Sequence, residues 1–506
     1  MKHDKIDFES FPKPLMAVLS LVAGAALFKA VNQLHADYDL WWHLFIGSRI
    51  IEQGALDLTD IYSFTAFGRP YINHEWASEI LMAFAYLKGG DLGLLIWRWG
   101  MVTMILFFAF KRIIEGAVHP FSRILLVLCF AAVIGPGISF RVQLLSYGFL
   151  LLLHQIIGPA EKKISLPSMV LIPAFFILWA NMHGGFILGL IVWFVYIGER
   201  IFLQTTPRRL TMILFSGLPV AATLINPFGW DLWHFIYTEL TNPLSSRFIT
   251  EWQPFSFAPR ELPFFTVMVL TWTCYFFSDR AKGFSETLLL LLASVMGLKA
   301  VRNTPLFVLV ALPAMVRHMD GACVRLLKQA RRGPPSSPAL VYTIVILLAG
   351  LSAVLFWRGL PDGWKVHIGK DPLPVQTVAF LKENRLKANL WVPLHYGGYV
   401  MYHLYPDIRV SIDGRWAMVY PREVMADTMT FSYNGGGGKW KKLLDKYGAH
   451  LALVEPDNPA VREMIQDPDW VWLFKESGCS LLARRDYLPT VLSPFKKPEK
   501  KEPVFP

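Results

Sequence analysis

The sequence predicts a polytopic α-helical membrane protein of about eleven transmembrane helices, followed by a C-terminal soluble α/β domain. Three observations carry this expectation. Apolar runs with only short basic interruptions fill residues 14–357, whereas the last third has the mixed composition of soluble sequence. Hydrophobic residues make up 54% of the chain and charged residues only 17%, against a usual charged share of about a quarter. The basic excess, a formal charge of +11, sits in short connections between apolar runs. That placement reflects membrane topology and speaks against a nucleic-acid partner.

A hydrocarbon core of ~30 Å needs about 20 residues of helix. The candidate spans are 15–34, 92–110, 124–139, 144–157, 169–180, 184–202, 210–224, 263–277, 288–300, 305–315 and 339–355, the shorter ones extending into their flanks. Every second connection is basic: Lys111/Arg112/Arg123, Lys162/Lys163, Arg200/Arg208/Arg209, Arg280/Lys282 and Arg317/Arg325/Lys328/Arg331/Arg332. By the positive-inside rule these are cytoplasmic, with the N-terminus. The opposite connections, 35–90, 140–143, 181–183, 225–262 and 301–304, then face outward, and an odd number of spans puts the C-terminal domain with them. The chain divides into a multispan domain, 1–358, with long outer loops at 35–90 and 225–262, a soluble domain, 359–490, and a tail, 491–506. No small-residue cleavage site follows the first apolar run, so it reads as a retained span. Four cysteines without a CxxC pair predict no disulfide.

With this topology the unusual polar residues gather on one side: His35, Asp37, Asp39, His43, His74, Glu75, Arg141, Asn181, His183, Asn226, Glu251, Arg302 and Asn303. Polar groups near lipid are costly and mark sites. Their convergence predicts a single outward-facing site, where a transporter would place them nearer the midplane. If the stretch after the first span is helical, His35, Asp39 and His43 share one face. A carboxylate between imidazoles suits a divalent metal or a general base; the same pattern also fits a solvated interfacial helix, with Trp41 and Trp42 at the boundary. Glu75 and Glu79 share a helical face in the same way. Arg141 and Arg302 can grip a phosphate bidentately or snorkel to headgroups. His183, in an outer turn, either reaches the site or contacts headgroups. Arg98 lies inside the second span and must pair within the bundle. His154 falls toward the cytoplasmic end and is assigned no role. The second outer loop is long and aromatic, carries Glu251 as a further acid, and predicts a short interfacial helix over 230–240.

In the soluble domain the patterns predict a helix over 375–386, strands over 389–393, 408–412 and 451–454, a helix over 440–447, and a hairpin of 470–474 with 480–483. The run of four glycines before Lys439 is not a phosphate loop, because Trp440 stands where Ser or Thr is needed. A mobile loop is expected there. Tyr396, Gly397, Asp413 and Arg415 either help form a binding site or form a tight Asp-Gly turn with a structural arginine.

The first outer loop opens on an acidic motif directly after the first span. The segment from Asp37-Tyr-Asp-Leu-Trp-Trp-His-Leu through Gly54, Asp60, Ser63-Phe-Thr, Gly68 and His74-Glu75-Trp76 resembles the GT-C class of integral-membrane glycosyltransferases, a bacterial branch of it in particular. Asp39-Leu-Trp-Trp-His43 also resembles the Asp-Pro-aromatic-Phe-Asn motif of the oligosaccharyltransferase catalytic subunit, with Leu40 for the proline and His43 for the asparagine. Leu394-His-Tyr-Gly-Gly-Tyr and Val410-Ser-Ile-Asp-Gly-Arg are similar to the soluble domain of the same bacterial group. The resemblance implies a GT-C-like fold with a periplasmic C-terminal domain in the bacterial inner membrane. It implies transfer of a sugar from a polyprenyl-phosphate-linked donor to an envelope glycan, lipid or protein acceptor. Asp39 would be base or metal ligand, with Asp37 as its alternate. Arg141, Arg302, His74, Glu75, His183 and Glu251 would bind substrate, and a divalent ion (Mg or Mn) would sit on Asp39, His43 and His35. Membrane lipids are the remaining partner. A non-catalytic scaffold or assembly factor for an envelope polysaccharide, with the same fold, is the alternative reading, and a transporter the third.

Overall fold

A computed structural model of the chain describes residues 13–32, 34–158, 166–203, 209–330, 338–360, 366–368 and 373–488. The charged residues of the N-terminus, Lys162, Lys163, Arg208, Arg331, Arg332 and the tail 491–506 lie outside the described residues.

In lipid every backbone polar group must pair internally, so the apolar runs are helices. Among the described residues three helices are long and apolar enough to cross a membrane alone: Lys13–Val31, Trp76–Gly116 and Pro120–Gly137. Val301–Val310 and Leu312–Leu326, bent by 64°, make a fourth if they count as one span. Shorter apolar helices follow the other runs, at Gln143–Ile157, Leu171–Met182, Arg209–Ala222, Leu262–Phe277 and Tyr342–Trp357. The expected count of about eleven therefore rests on composition and loop charge, not on helix length. Trp76–Gly116 is broken at Gly90, where φ is 55° and ψ −140°. Only glycine adopts this readily, and the break separates the end of the first loop from the predicted span 92–110.

The predicted basic connections meet one another at one end of the bundle. Arg200 donates to the Ile157 carbonyl (3.1 Å), and Glu199 accepts from the Phe284 amide (3.1 Å). Asp320 accepts from the Val118 and His119 amides (3.0 Å each) and pairs with Arg280 (3.7 Å). Arg98 is fully buried. It donates to the Val31 carbonyl (2.6 Å) at the end of the first helix and lies against the rings of Trp99 and Phe140.

Seven short strands occur among the described residues: β1 (His35–Ala36), β2 (His367–Ile368), β3 (Ala388–Trp391), β4 (Ile408–Val410), β5 (Leu451–Val454), β6 (Trp470–Lys475) and β7 (Ser480–Arg484). Five of the six in the soluble domain, β3–β7, form one sheet in the order β4-β3-β5-β7-β6. β4, β3 and β5 run parallel, and β7 and β6 add an antiparallel edge. Every residue of β5 is buried, as its unbroken apolar run requires of a central strand. The glycine run is not the mobile loop expected. Its Gly437 and Gly438 amides donate to the Glu463 carboxylate (2.6 and 2.9 Å), which also accepts from Trp440 Nε1 (3.0 Å). A half-exposed carboxylate acceptor has turned a flexible sequence into a fixed turn.

The first outer loop shares its core with the soluble domain. β1 pairs with β2 in parallel, and Ser63 bridges to Val410. Trp41, Trp42, Tyr62 and Tyr71 pack in one apolar cluster with Leu390, Val400, Val410 and Ile412. At its centre Arg415, 0% exposed, binds both Asp413 oxygens (2.8 and 2.7 Å) and Asp60 Oδ1 (2.7 Å). Tyr420 donates to Asp413 (2.6 Å). Of the two sequence alternatives, Asp413 and Arg415 take the structural one.

Candidate functional site

The helix Asp39–Gln53 begins where it does because Asp37 accepts the Asp39 amide on its side chain (2.9 Å) and the Leu40 amide on its carbonyl (3.1 Å). His35 precedes that start, in β1. His35, Asp39 and His43 therefore do not share a helix, and the expected metal set of these three does not assemble through helical spacing.

Asp39 accepts from Trp42 Nε1 (3.1 Å) and faces Arg141 Nη2 (3.3 Å). Arg141 also pairs with Asp37 through Nε and with Glu251 of the second outer loop (2.7 Å). Glu251 in turn faces Arg302 (3.7 Å), whose guanidinium lies 4.3 Å above the Trp252 ring. Three carboxylates thus surround one arginine while a second arginine waits at the edge. Burial, with Asp37 beside it, pushes the Asp39 carboxyl up to about 6. Burial works against a charged Arg141, but the three carboxylates hold it protonated, above its usual value.

A second group lies one helical turn beyond Asp39. His43 Nδ1 stands 3.2 Å from Glu79 Oε1 and 4.0 Å from Glu75 Oε2. Glu75 Oε1 faces His74 Nε2 (3.5 Å) and His183 Nε2 (3.4 Å). His183 Nδ1 accepts from the Gly185 amide (2.9 Å), so its proton sits on Nε2, toward Glu75. Ser146 Oγ, which takes the Trp179 Nε1 proton (2.7 Å), holds the same Nδ1 (2.8 Å). Asn73 donates to Glu79 Oε2 (2.7 Å). Burial lowers all three imidazoles, His74 to about 3, His183 well below its ordinary value and His43 in the same direction. It raises Glu75 to about 7.

Asp37, Asp39, His43, His74, Glu75, Arg141, His183, Glu251 and Arg302 all line one cavity of about 1300 Å³. The opposite wall belongs to the soluble domain, with His395, Tyr396, Trp416, Tyr433 and Glu455, and the floor between the helices is apolar, with Leu150, Ile187, Leu188, Ile191, Met296 and Leu306. Gly414 touches the acid group so closely that a Cβ there would collide with Trp42 Nε1 and Asp39 Oδ1. The helix expected over 230–240 is Trp230–Leu240, and Trp230, Tyr237 and Leu240 are exposed on it.

Sequence reasoning left Glu79, Asn73 and Ser146 out of the site. Glu79 was visible through its four-residue spacing from Glu75; nothing in the sequence marks the other two. The residues that fit a divalent ion are His43, Glu75 and Glu79, whose ligand atoms all lie within 4.8 Å of one another. Asp37 and Asp39 spend their charge on Arg141 instead.

No protein-family model matches the sequence, and no curated protein matches it. The structure does have counterparts. The archaeal oligosaccharyltransferase AglB from Archaeoglobus fulgidus, solved with an inhibitory peptide and a dolichol-phosphate, superposes with a TM-score of 0.55 at 12% identity, over 87% of this chain and 69% of that one. The same organism's enzyme tethered to an acceptor peptide gives 0.52 at 11% identity, with the same coverage. The arabinofuranosyltransferase AftD from Mycobacteria gives 0.53 at 14% identity, over 92% of this chain and 41% of its own length. The chain is a membrane protein that shares its fold with glycosyltransferases of the GT-C class.

Proposed function

We propose that the chain is a membrane glycosyltransferase that moves a sugar from a polyprenyl-phosphate-linked donor to an envelope glycan, lipid or protein acceptor. In this reading the reaction occurs at the outer face of the bacterial inner membrane, with the N-terminus cytoplasmic and the soluble domain periplasmic. The observation that carries it is the place of Asp39: a carboxylate with a raised pKa, between an apolar floor and a polar soluble-domain wall. An apolar floor suits a lipid tail, and AglB, similar in fold, was solved with dolichol-phosphate.

With its pKa at about 6, Asp39 is mostly ionised at neutral pH yet basic enough to take a proton. The acceptor hydroxyl gives its proton to Asp39 as its oxygen bonds to the anomeric carbon. The carbon–oxygen bond to the lipid phosphate breaks, and that phosphate leaves with the electron pair. In this reading Arg302 meets it: among the described residues Glu251 is its one salt-bridge partner, and its stack on Trp252 presents the guanidinium fork. Arg141 is neutralised by Asp37, Asp39 and Glu251, so it positions carboxylates. A divalent ion, if bound, would be held by His43, Glu75 and Glu79 and would supply Lewis acidity to the site.

The test is transfer by purified protein in lipid nanodiscs, using radiolabelled polyprenyl-phosphate sugars and envelope extracts as acceptors. Transfer by the native protein and its loss in Asp39→Asn is the expected result. Native protein that transfers no sugar from any such donor would put the scaffold reading first.

A further inference from the structure

We infer that His43, Glu75 and Glu79 form a binding site for one divalent transition ion, of the manganese or zinc kind, separate from the Asp37–Asp39 pair. This rests on the functional reading above for the ion's role, and on the structure alone for its binding.

The donor set comes first. One imidazole nitrogen with two carboxylates suits manganese, iron or zinc, whereas magnesium and calcium prefer oxygen alone. The spacing agrees. Ligand atoms around a shared ion at about 2.0–2.2 Å stand about 3 to 4.4 Å apart, and here the separations from His43 Nδ1 are 3.2 and 4.0 Å.

Charge is the second observation. Glu79 is 0% exposed, His43 3% and Glu75 8%. Among the described residues no lysine or arginine forms a salt bridge with either glutamate; their partners are imidazoles and the Asn73 amide. Two buried carboxylates without a cation are costly, and a dication between them would offset that cost. Asp37 and Asp39 differ here, because Arg141 already answers them.

The surroundings are built as an outer shell. Asn73 donates to the Glu79 oxygen that faces away from His43 and accepts the Glu75 amide (3.1 Å). His183, locked by Gly185, Ser146 and Trp179, aims its Nε2 proton at Glu75. Such partners orient ligands and set their basicity. The same proton excludes His183 as a ligand. His43 and Glu75 line the cavity while Glu79 lies behind them, so remaining coordination positions open toward substrate.

The experiment uses full-length protein in nanodiscs, stripped with chelator and titrated with Mn²⁺ while the free-ion spin-resonance signal is followed. One saturable Mn²⁺ per chain is expected, displaced by equimolar Zn²⁺, with Mg²⁺ needing about a hundredfold excess. His43→Gln and Glu79→Gln should each weaken binding by more than about tenfold, and Asn73→Ala, which keeps every ligand, by about tenfold. Asp39→Asn should weaken it less than any of these. Absence of saturable binding to the native protein overturns the inference. So does Mg²⁺ competing as well as Zn²⁺, His43→Gln binding like native, or Asp39→Asn abolishing binding. The native titration stands even if a buried variant fails to fold. Because no sugar transfer enters the readout, Mn²⁺ binding by a transfer-inactive protein would remove the function and keep the site.

Discussion

Arg415 and Arg141 each join separate parts of the chain through carboxylates, yet their surroundings differ. Arg415 is sealed: it binds Asp413 twice and Asp60 once, and Tyr420 supplies a further donor. Arg141 sits at a cavity wall with three carboxylates, of which Asp39 and Glu251 are each 33% exposed. The closed and satisfied group ties the first loop to the soluble domain and has no capacity left for a ligand. The open group carries more negative charge than its arginine can cancel, and burial together with the neighbouring Asp37 raises the Asp39 carboxyl to about 6. Saturation marks the structural arginine, and imbalance marks the reactive neighbourhood.

Asp39→Asn breaks the comparison from the reactive side. Loss of a general base costs about 10²–10⁴-fold in rate, while the melting temperature should hardly move; full activity in this variant would remove the catalytic role. Arg415→Ala works from the other side. It leaves Asp60 and Asp413 buried without a cation, and denaturant unfolding should show a loss of about 3–5 kcal/mol. An unchanged midpoint would mean that the lock contributes nothing. Arg302→Ala should raise the donor KM by about tenfold with a smaller change in kcat, since one charge-assisted hydrogen bond is worth about 1.5–3 kcal/mol. A fall in kcat alone would contradict ground-state donor binding.

Acidification separates the two groups without mutation. The Asp39 carboxyl is raised to about 6 and must be ionised to act, so transfer should fall about tenfold per unit below pH 6. Asp413 behaves oppositely. Burial opposes its ionisation, but Arg415 and Tyr420 outweigh that and hold it below the usual range. A depressed carboxyl contributes stability above its unfolded value of about 3.9, lost only as pH falls through the lower folded value. At pH 5 the protein should therefore be folded and slow. Unfolding at that pH, or a flat rate profile, would show that the assignment is reversed.

Much of this was legible in the sequence where one physical signal dominates. Leu451–Val454 is an unbroken apolar run and forms the buried central strand β5; Trp230–Leu240 is amphipathic and forms the expected helix. The gathering of acidic and basic residues on one face followed from loop charge. What failed did so through local chemistry that patterns do not carry. Asp37 starts a helix at Asp39, so the four-residue spacing back to His35 has no meaning. No periodic pattern assigned an element to 394–404, yet Leu394–Leu404 is a helix. Its Gly397 is required because the Ile412 carbonyl passes where a Cβ would be. Asn73 reaches Glu79 across the turn that starts a helix, and Ser146 reaches His183 37 residues away; no periodic pattern records either contact.

The contact at Gly414 has a consequence for engineering. Grafting the C-terminal domain of a relative onto this membrane half looks like an obvious route to a new acceptor, as if the two were interchangeable cartridges. Gly414 presses backbone against Trp42 and Asp39, so a donor sequence with any side chain there would drive a wedge into the carboxylate proposed as the base. Chimeras should be joined so that residues 35–75 travel with 366–488 as one unit. The membrane half alone, cut after residue 360, would expose the aromatic face of its first loop and leave the reaction site without one of its walls.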